Sequence, residues 1–212
     1  MARFTCLLAG PIHPTPALRA TVAGTRVVAA DAGIRHAAAL GLRPELWVGD
    51  FDSEPDAAVG VGIARQVLPR DKAETDGELA IAAAVERGAT SILLVGAFGG
   101  RSDHAFSHLV VALREAEAGR EIELFDGRER AWPLTADGFP HRFDAAPGAQ
   151  FSLLKFSDLA GLSIEGARFP LDGVALPFSS ILTQSNEATG PVTVTLASGR
   201  AVLLLQADPA VR

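Results

Sequence analysis

Four polar clusters carry the residue types that chemistry on a phosphate group requires. Asp31 is followed by Gly33; Gly49-Asp50-Phe51-Asp52-Ser53 comes next; then Arg70-Asp71-Lys72-Ala73-Glu74-Thr75-Asp76; then Gly96-Ala97-Phe98-Gly99-Gly100-Arg101-Ser102-Asp103-His104. Asp31, Asp50, Asp52 and Asp76, gathered bare in one crevice, would repel one another. A hard cation resolves the repulsion, and an all-oxygen donor set suits Mg²⁺ rather than zinc or copper. Gly99-Gly100 lets backbone N–H groups approach a polyphosphate, and a helix starting just after them adds favourable partial charge. Arg101 is suited to clamp phosphate oxygens through two donors, and Lys72 supplies a second positive charge. Metal, cationic clamp and donor loop together form the equipment for in-line attack on phosphorus. Taken singly, each piece has a plainer reading: an Asp at a strand end as a helix cap, Gly-Gly as a turn, Asp76 as a first-turn charge favoured by the helix dipole.

The elements that must position these clusters are legible in the periodicity. Short apolar, β-branched runs predict strands at Phe4–Ala9, Arg26–Ala30, Leu46–Val48, Arg65–Leu68, Ser91–Val95 and Glu121–Phe125. Helical spacing predicts helices at Ala17–Ala23, Ile34–Leu40, Thr75–Arg87 and His104–Ala118. Pro16 suits a first helical turn, Gly41, Gly88 and Gly119 suit helix ends, and Thr75-Asp76-Gly77-Glu78 has capping-box spacing. This alternation predicts an α/β domain over 1–128, a mostly parallel, Rossmann-like sheet flanked by helices on both faces. Each polar cluster follows a predicted strand, and ligands of open α/β sheets bind at the carboxyl ends of the strands. Residues two apart in an extended segment point the same way, so Asp50 and Asp52 are expected to aim both carboxylates at one point, with Phe51 turned into the core.

Beyond Phe125 the pattern changes. Asp126–Pro147 is rich in Gly, Pro, Asp and Arg, and strand-like segments follow at Gln150–Phe156, Leu162–Ile164, Val192–Leu196 and Ala201–Gln206. A small all-β sandwich over 129–212 is expected.

The formal charge of −6 over 212 residues makes non-specific binding to nucleic acid or to an anionic membrane unfavourable. Cys6 is the single cysteine, which excludes an internal disulfide and a cysteine-based zinc site; a buried hydrophobe is expected there. No apolar run approaches the length of a membrane span, and the N-terminus lacks a signal-peptide pattern, so the cytoplasm is the expected location. His104 and His108 are four apart on a predicted helix, but no third ligand has the spacing of a zinc site. His13, His36 and His141 are expected to be solvated or hydrogen-bonded.

The motifs Ala30-Asp31-Ala32-Gly33, Gly49-Asp50-Phe51-Asp52-Ser53, Thr75-Asp76-x-Glu78-Leu79-Ala80 and Gly99-Gly100-Arg101-x-Asp103-His104, in this order, resemble the signatures of the thiamine pyrophosphokinases. Ser185-Asn186-Glu187, followed by Pro191-Val192-Thr193-Val194, resembles that family's substrate-side motif. The resemblance spans roughly 28–109 and 182–205, and implies an α/β domain followed by a β-sandwich. It implies transfer of diphosphate from ATP to the thiamine hydroxyl, giving thiamine diphosphate and AMP. Asp31, Asp50, Asp52 and Asp76 would hold Mg²⁺, and Asp50, Asp52, Asp76 and Arg101 would form the catalytic set. Lys72, Thr75, Gly99, Gly100, Arg101, Asp103 and His104 would serve the nucleotide, with Asp103 and His104 organising the loop. Ser185 and Asn186 would meet the thiamine pyrimidine. A homodimer is implied, the β domain of one subunit completing the other's site.

The departures are Ala32 for a glycine, Ala73 for a carboxylate, and His108 for an asparagine; the lost carboxylate is either met by Asp71 or Glu74 or leaves nucleotide or metal binding weaker. The chain has no tyrosine, so an aromatic stacking on thiamine must be Phe or Trp; Trp132 and Phe178 are the candidates. The alternatives are a related phosphotransferase or nucleotide hydrolase with another acceptor, and a non-catalytic ligand sensor.

Overall fold

A computed structural model describes residues 2–51, 61–67 and 74–206. Asp52, Ser53, Asp71, Lys72 and Ala73 lie outside the described residues. The chain divides into two compact units, 1–111 with 120–127, and 112–119 with 128–212.

In the first unit, β1 (Ala2–Leu7), β2 (Arg26–Ala30), β3 (Leu46–Gly49), β4 (Ala64–Val67), β5 (Ala89–Val95) and β6 (Glu121–Phe125) lie in the order β6-β5-β1-β2-β3-β4. Every ladder between these neighbours is parallel. Phe4, Cys6, Leu7, Val28, Ala29, Leu93, Leu94 and Val95 are fully buried, because apolar side chains on both faces of a central strand must be covered. One face packs Leu7, Val27, Ala29, Trp47, Leu93 and Val95 against Leu18 and Val22 of α1 (Pro16–Val22) and Ala37 and Leu40 of α2 (His36–Leu40). The alternate residue Cys6 points the other way, its thiol 3.7 Å from the Ala80 carbonyl of α3 (Asp76–Glu86). Burial pushes that thiol up to about 12, so Cys6 is an inert apolar filler.

Local chemistry sets the helix starts. Thr15 caps α1 by accepting from the Leu18 N–H at 3.2 Å, with Pro16 inside the first turn. Thr75 and Glu78 form both halves of the capping box on α3, at 3.3 and 3.0 Å. The predicted helix at 34–40 is present as α2 from His36 to Leu40, and a 3₁₀ turn, Asp31–Arg35, leads into it, so the functional segment after β2 is tightly wound from its first residue. At Phe51 φ is +58°, so the backbone at that residue is not extended as the alternation of Asp50 with Asp52 requires; Asp52 itself lies outside the described residues. Phe51 still packs against the core, edge-on to Trp47 at 4.8 Å. The last helix, α4 (Ser102–Glu117), follows β5. Among the described residues no helix is long and apolar enough to cross a membrane.

The second unit contains β7 (Glu129–Leu134), β8 (His141–Phe143), β9 (Gln150–Lys155), β10 (Leu159–Ala167), β11 (Leu171–Leu176), β12 (Asn186–Thr195) and β13 (Ala201–Gln206). Its ladders run β11-β10-β12-β9-β13-β7, all antiparallel, with β8 on β12. β12 changes partner along its length: Asn186 and Glu187 pair with β9, and later residues with β10 and β8. Alternate side chains converge on one core, including Phe151, Leu153, Leu162, Ile164, Val192, Val194 and Leu203. Three of these strands are absent from the sequence prediction. β7 contains Pro133, which cannot donate to a ladder; β8 has only three residues; and β11 is largely exposed, so no alternation marks it.

Two predictions follow from this packing. Leu203 is fully buried in the second unit's core, so Leu203→Ala should lower unfolding stability by about 2–5 kcal/mol, read by urea titration. His36 is buried, its Nε2 2.8 Å from the Gly10 carbonyl, and burial pushes the imidazole below its ordinary 6.5. Between the folded and unfolded values the unfolded chain binds more protons, so stability rises with pH and is lost on acidification through about 6.5. His36→Gln keeps an ε-nitrogen donor for Gly10 but does not titrate, and its urea midpoint should fall less between about pH 7.5 and about pH 5.5.

Candidate active site

In the first unit the chain builds outward from β1 through β2, β3 and β4, then returns to the other side of β1 with β5. The strand order therefore reverses between β1 and β5, the place where open α/β sheets leave a crevice. A cleft of about 280 Å³ lies there, bordered by Leu8–Gly10 after β1, Ala30 and Asp31 after β2, Thr75–Gly77 at the start of α3, and Gly96, Ala97 and Gly99–Arg101 after β5. His104 and His108, on α4, also border it.

The two loops meet at backbone distance. Leu8 N–H donates to Val95 at 2.7 Å and Gly10 N–H donates to the Gly96 carbonyl at 2.9 Å. A Cβ on Gly10 would lie 2.4 Å from the Gly96 oxygen and 2.6 Å from that of Phe98, so no other residue fits. Gly99 and Gly100 adopt φ of +67° and +63°, which opens the chain before α4 and favours glycine. Two successive residues of this kind leave backbone N–H groups available to an anion.

The acidic side of the cleft comes from Asp31 and Asp76. Asp31 has φ +41° and is fixed by the Trp47 indole, which donates to its carbonyl at 2.8 Å. Its carboxylate lies over Gly49, where a Cβ would come 3.1 Å from Oδ1. That contact places Asp31 next to the segment carrying Asp50, although Asp50 does not border the cleft. Asp76 lies in the first turn of α3, positioned by the Thr75 cap. Among the described residues, no group of three or more His, Cys, Asp or Glu side chains is placed to hold a metal ion.

On the basic side, Arg101 is 72% exposed and its guanidinium binds both carboxylate oxygens of Asp103, at 2.6 and 3.2 Å. Arg101 holds the Asp103 carboxyl below the usual carboxylate range. Asp103 also accepts from the His104 N–H at 3.0 Å, so it fastens the loop to the first turn of α4. His108 is half-buried and its Nδ1 lies 2.9 Å from the Ala97 carbonyl; a carbonyl only accepts, so Nδ1 carries the proton. Burial pushes its imidazole below the ordinary value, with the same sign of acid sensitivity as His36. The His104 and His108 rings stand 6.4 Å apart, nearly perpendicular.

Three of the four clusters thus meet in one cleft, through Asp31, Thr75, Asp76, Gly99, Gly100, Arg101 and His104. Sequence reasoning missed the end of β1; Gly10 sits between an apolar strand and Pro11, and that punctuation was its only signal. Ser185 and Asn186 belong to the second unit. Ser185 has φ +57° and donates its N–H to Ser152 at 3.0 Å. Asn186 is buried: its Oδ1 accepts from Phe169 and Glu187 N–H at 3.1 and 2.9 Å, and its Nδ2 donates to the Phe169 carbonyl at 2.9 Å. Of the two candidate aromatics, Trp132 packs on the second unit's core at 5.1 Å from Phe143, whereas Phe178 is 61% exposed.

Known proteins with this sequence pattern and fold agree with one another. The family described as thiamin pyrophosphokinase, catalytic domain, matches residues 21–124. The thiamine pyrophosphokinase of Bacillus subtilis (strain 168) is 26% identical over 196 residues, covering 88% of this chain and 90% of its own. The crystal structure of a Bacillus subtilis thiamine pyrophosphokinase superposes with a TM-score of 0.84 at 21% identity, covering 97% of this chain and 99% of that one. That of Geobacillus thermodenitrificans gives 0.80 at 26% identity, with 98% of each chain covered. The catalytic-domain match, the relative in sequence and the structural neighbours, each of the latter two spanning nearly the whole chain, all indicate the thiamine pyrophosphokinase family as the one this chain is similar to.

Proposed function

We propose that this protein transfers the diphosphoryl group of ATP to the hydroxyl of thiamine, giving thiamine diphosphate and AMP. One observation carries the proposal: a chain similar to this family holds Asp31, Asp76, Gly99-Gly100 and Arg101 around one cleft at the strand-order reversal. The first unit acts in this reading as a Rossmann-like nucleotide domain, residues 1–128. Residues 129–212 form a sandwich that serves thiamine binding and dimerisation.

The donor set fits Mg²⁺. Asp31 and Asp76 offer only oxygen, and Mg²⁺ is commonly held by one or two carboxylates with substrate phosphates and water completing its shell. Asp50 and Asp52 complete the acidic set in this proposal. Bound there, the ion would neutralise triphosphate charge and favour attack at the β-phosphorus.

The chain's own groups do the rest. The N–H groups of Gly99 and Gly100 and the start of α4 receive phosphate oxygens. Arg101 exchanges Asp103 for phosphate, an exchange made easy because the pair is exposed and solvent-screened. Lys72 adds positive charge, and Thr75 keeps Asp76 in place through the cap. The thiamine oxygen forms a bond to the β-phosphorus as the bridging bond to the α-phosphate breaks, and AMP departs with the bridging oxygen. Ser185 and Asn186 serve thiamine, Asn186 through the Phe169 backbone that it fastens. Phe178 is the aromatic available for stacking. The working form is a cytoplasmic homodimer.

Incubation with ATP, Mg²⁺ and thiamine should yield AMP and thiamine diphosphate in equal amounts, and chelation with EDTA should stop both. ADP as the thiamine-dependent product would overturn the reading. Asp76→Asn should lower kcat/KM by about a hundredfold or more with its thermal midpoint preserved.

A further inference from the structure

His108 bonds to the wall of the cleft formed by the glycine loop and lies against the wall formed by α3. Its Nδ1–H holds the Ala97 carbonyl at 2.9 Å, inside the loop that bears Gly99 and Gly100. Its other edge lies on Gly77, where a Cβ would come 3.3 Å from Nε2 and 3.5 Å from Cδ2. Gly77 is buried and directly follows Asp76 in the first turn of α3. The ring thus works as a spacer: its proton fixes one wall, and its thickness fixes how near the other wall comes. We propose that His108 is a positioning residue that sets the separation between the phosphate-facing glycine loop and Asp76. This rests on the reading of the cleft as an ATP site.

The spacer has two separable parts. Asn can present an amide N–H from the same distance along the side chain as Nδ1, which keeps the tie to Ala97 but removes the far edge of the ring. Ala removes both. At Gly77 the remedy is complementary: an Ala methyl would press on the ring in the wild type and fill the space that Asn leaves. Gly77 is helical, with no positive φ, so Ala suits its backbone and any defect comes from the collision.

The test uses the full-length protein and two readouts: calorimetric ATP binding with Mg²⁺ and no thiamine, and steady-state AMP release with thiamine. His108→Ala should weaken ATP binding by about five- to tenfold, the loss of one half-buried hydrogen bond, and lower kcat, with KM for thiamine unchanged. His108→Asn should recover most of the ATP affinity. Gly77→Ala should impair kcat alone, and Gly77→Ala combined with His108→Asn should restore it. Should His108→Ala fail to fold, the Gly77→Ala and double-variant comparison stands by itself. Unchanged ATP affinity and kcat in His108→Ala, or a double variant no better than Gly77→Ala, overturns the inference. Wild-type protein that binds ATP but forms no thiamine diphosphate overturns the proposed reaction instead, and the affinity series then decides the role of His108.

Discussion

The segments leaving β1 and β5 pass each other with no side chain between them. Gly10 donates to Gly96, and the space where a Cβ would stand is already filled by two carbonyl oxygens. Because the backbones touch, the loop after β5 is drawn over the carboxyl end of β1, and Gly99 and Gly100 face the acidic end of β2 and the start of α3. A side chain at Gly10 would push the two segments apart by more than an ångström of overlap, and the cleft would lose its common floor. Strain of this kind is not relieved by rotamer choice, since the obstruction is main chain on both sides.

Charge is arranged across that floor rather than along it. Asp31 and Asp76 supply negative charge, while Arg101, the glycine N–H groups and the helix start supply positive potential. In the proposed reading, a polyphosphate with a hard cation would satisfy both sides at once, which neither ligand would achieve alone. Arg101 meanwhile rests on Asp103, two exposed groups whose attraction water largely screens. Such a pair keeps the guanidinium in place without holding it so firmly that a phosphate could not displace the carboxylate. His108 and His36 are the opposite case. Both are kept neutral by burial and each spends a ring proton on a loop carbonyl, so they act as struts and not as charges.

The second unit follows different physics. Its core is built by alternation on antiparallel strands, and β12 joins two groups of strands by changing partner after Glu187. Asn186 sits at the start of that strand and spends its amide on the Phe169 backbone. A polar residue buried there is stable because its hydrogen bonds are made within the protein, and it fixes a segment whose Phe169 side chain faces solvent.

Much was determined by the sequence alone. Strands β2 and β6 match their expected bounds, and β13 does as well; α3 begins where its capping box predicts; and the Asp and glycine clusters fall at strand ends. These features are local: a cap, a turn or an apolar run acts through neighbours a few residues away. Tertiary structure decided the rest. Phe51 takes a left-handed backbone as it packs edge-on against Trp47, a conformation that strand alternation does not foresee. Gly10 and His108 gained their roles only when β1 met β5 and α4 reached α3, contacts between residues far apart in the chain. A residue's type can say what it is able to bond, but its partner is chosen by which strands lie side by side, and that choice is made by burying both faces of the sheet at once.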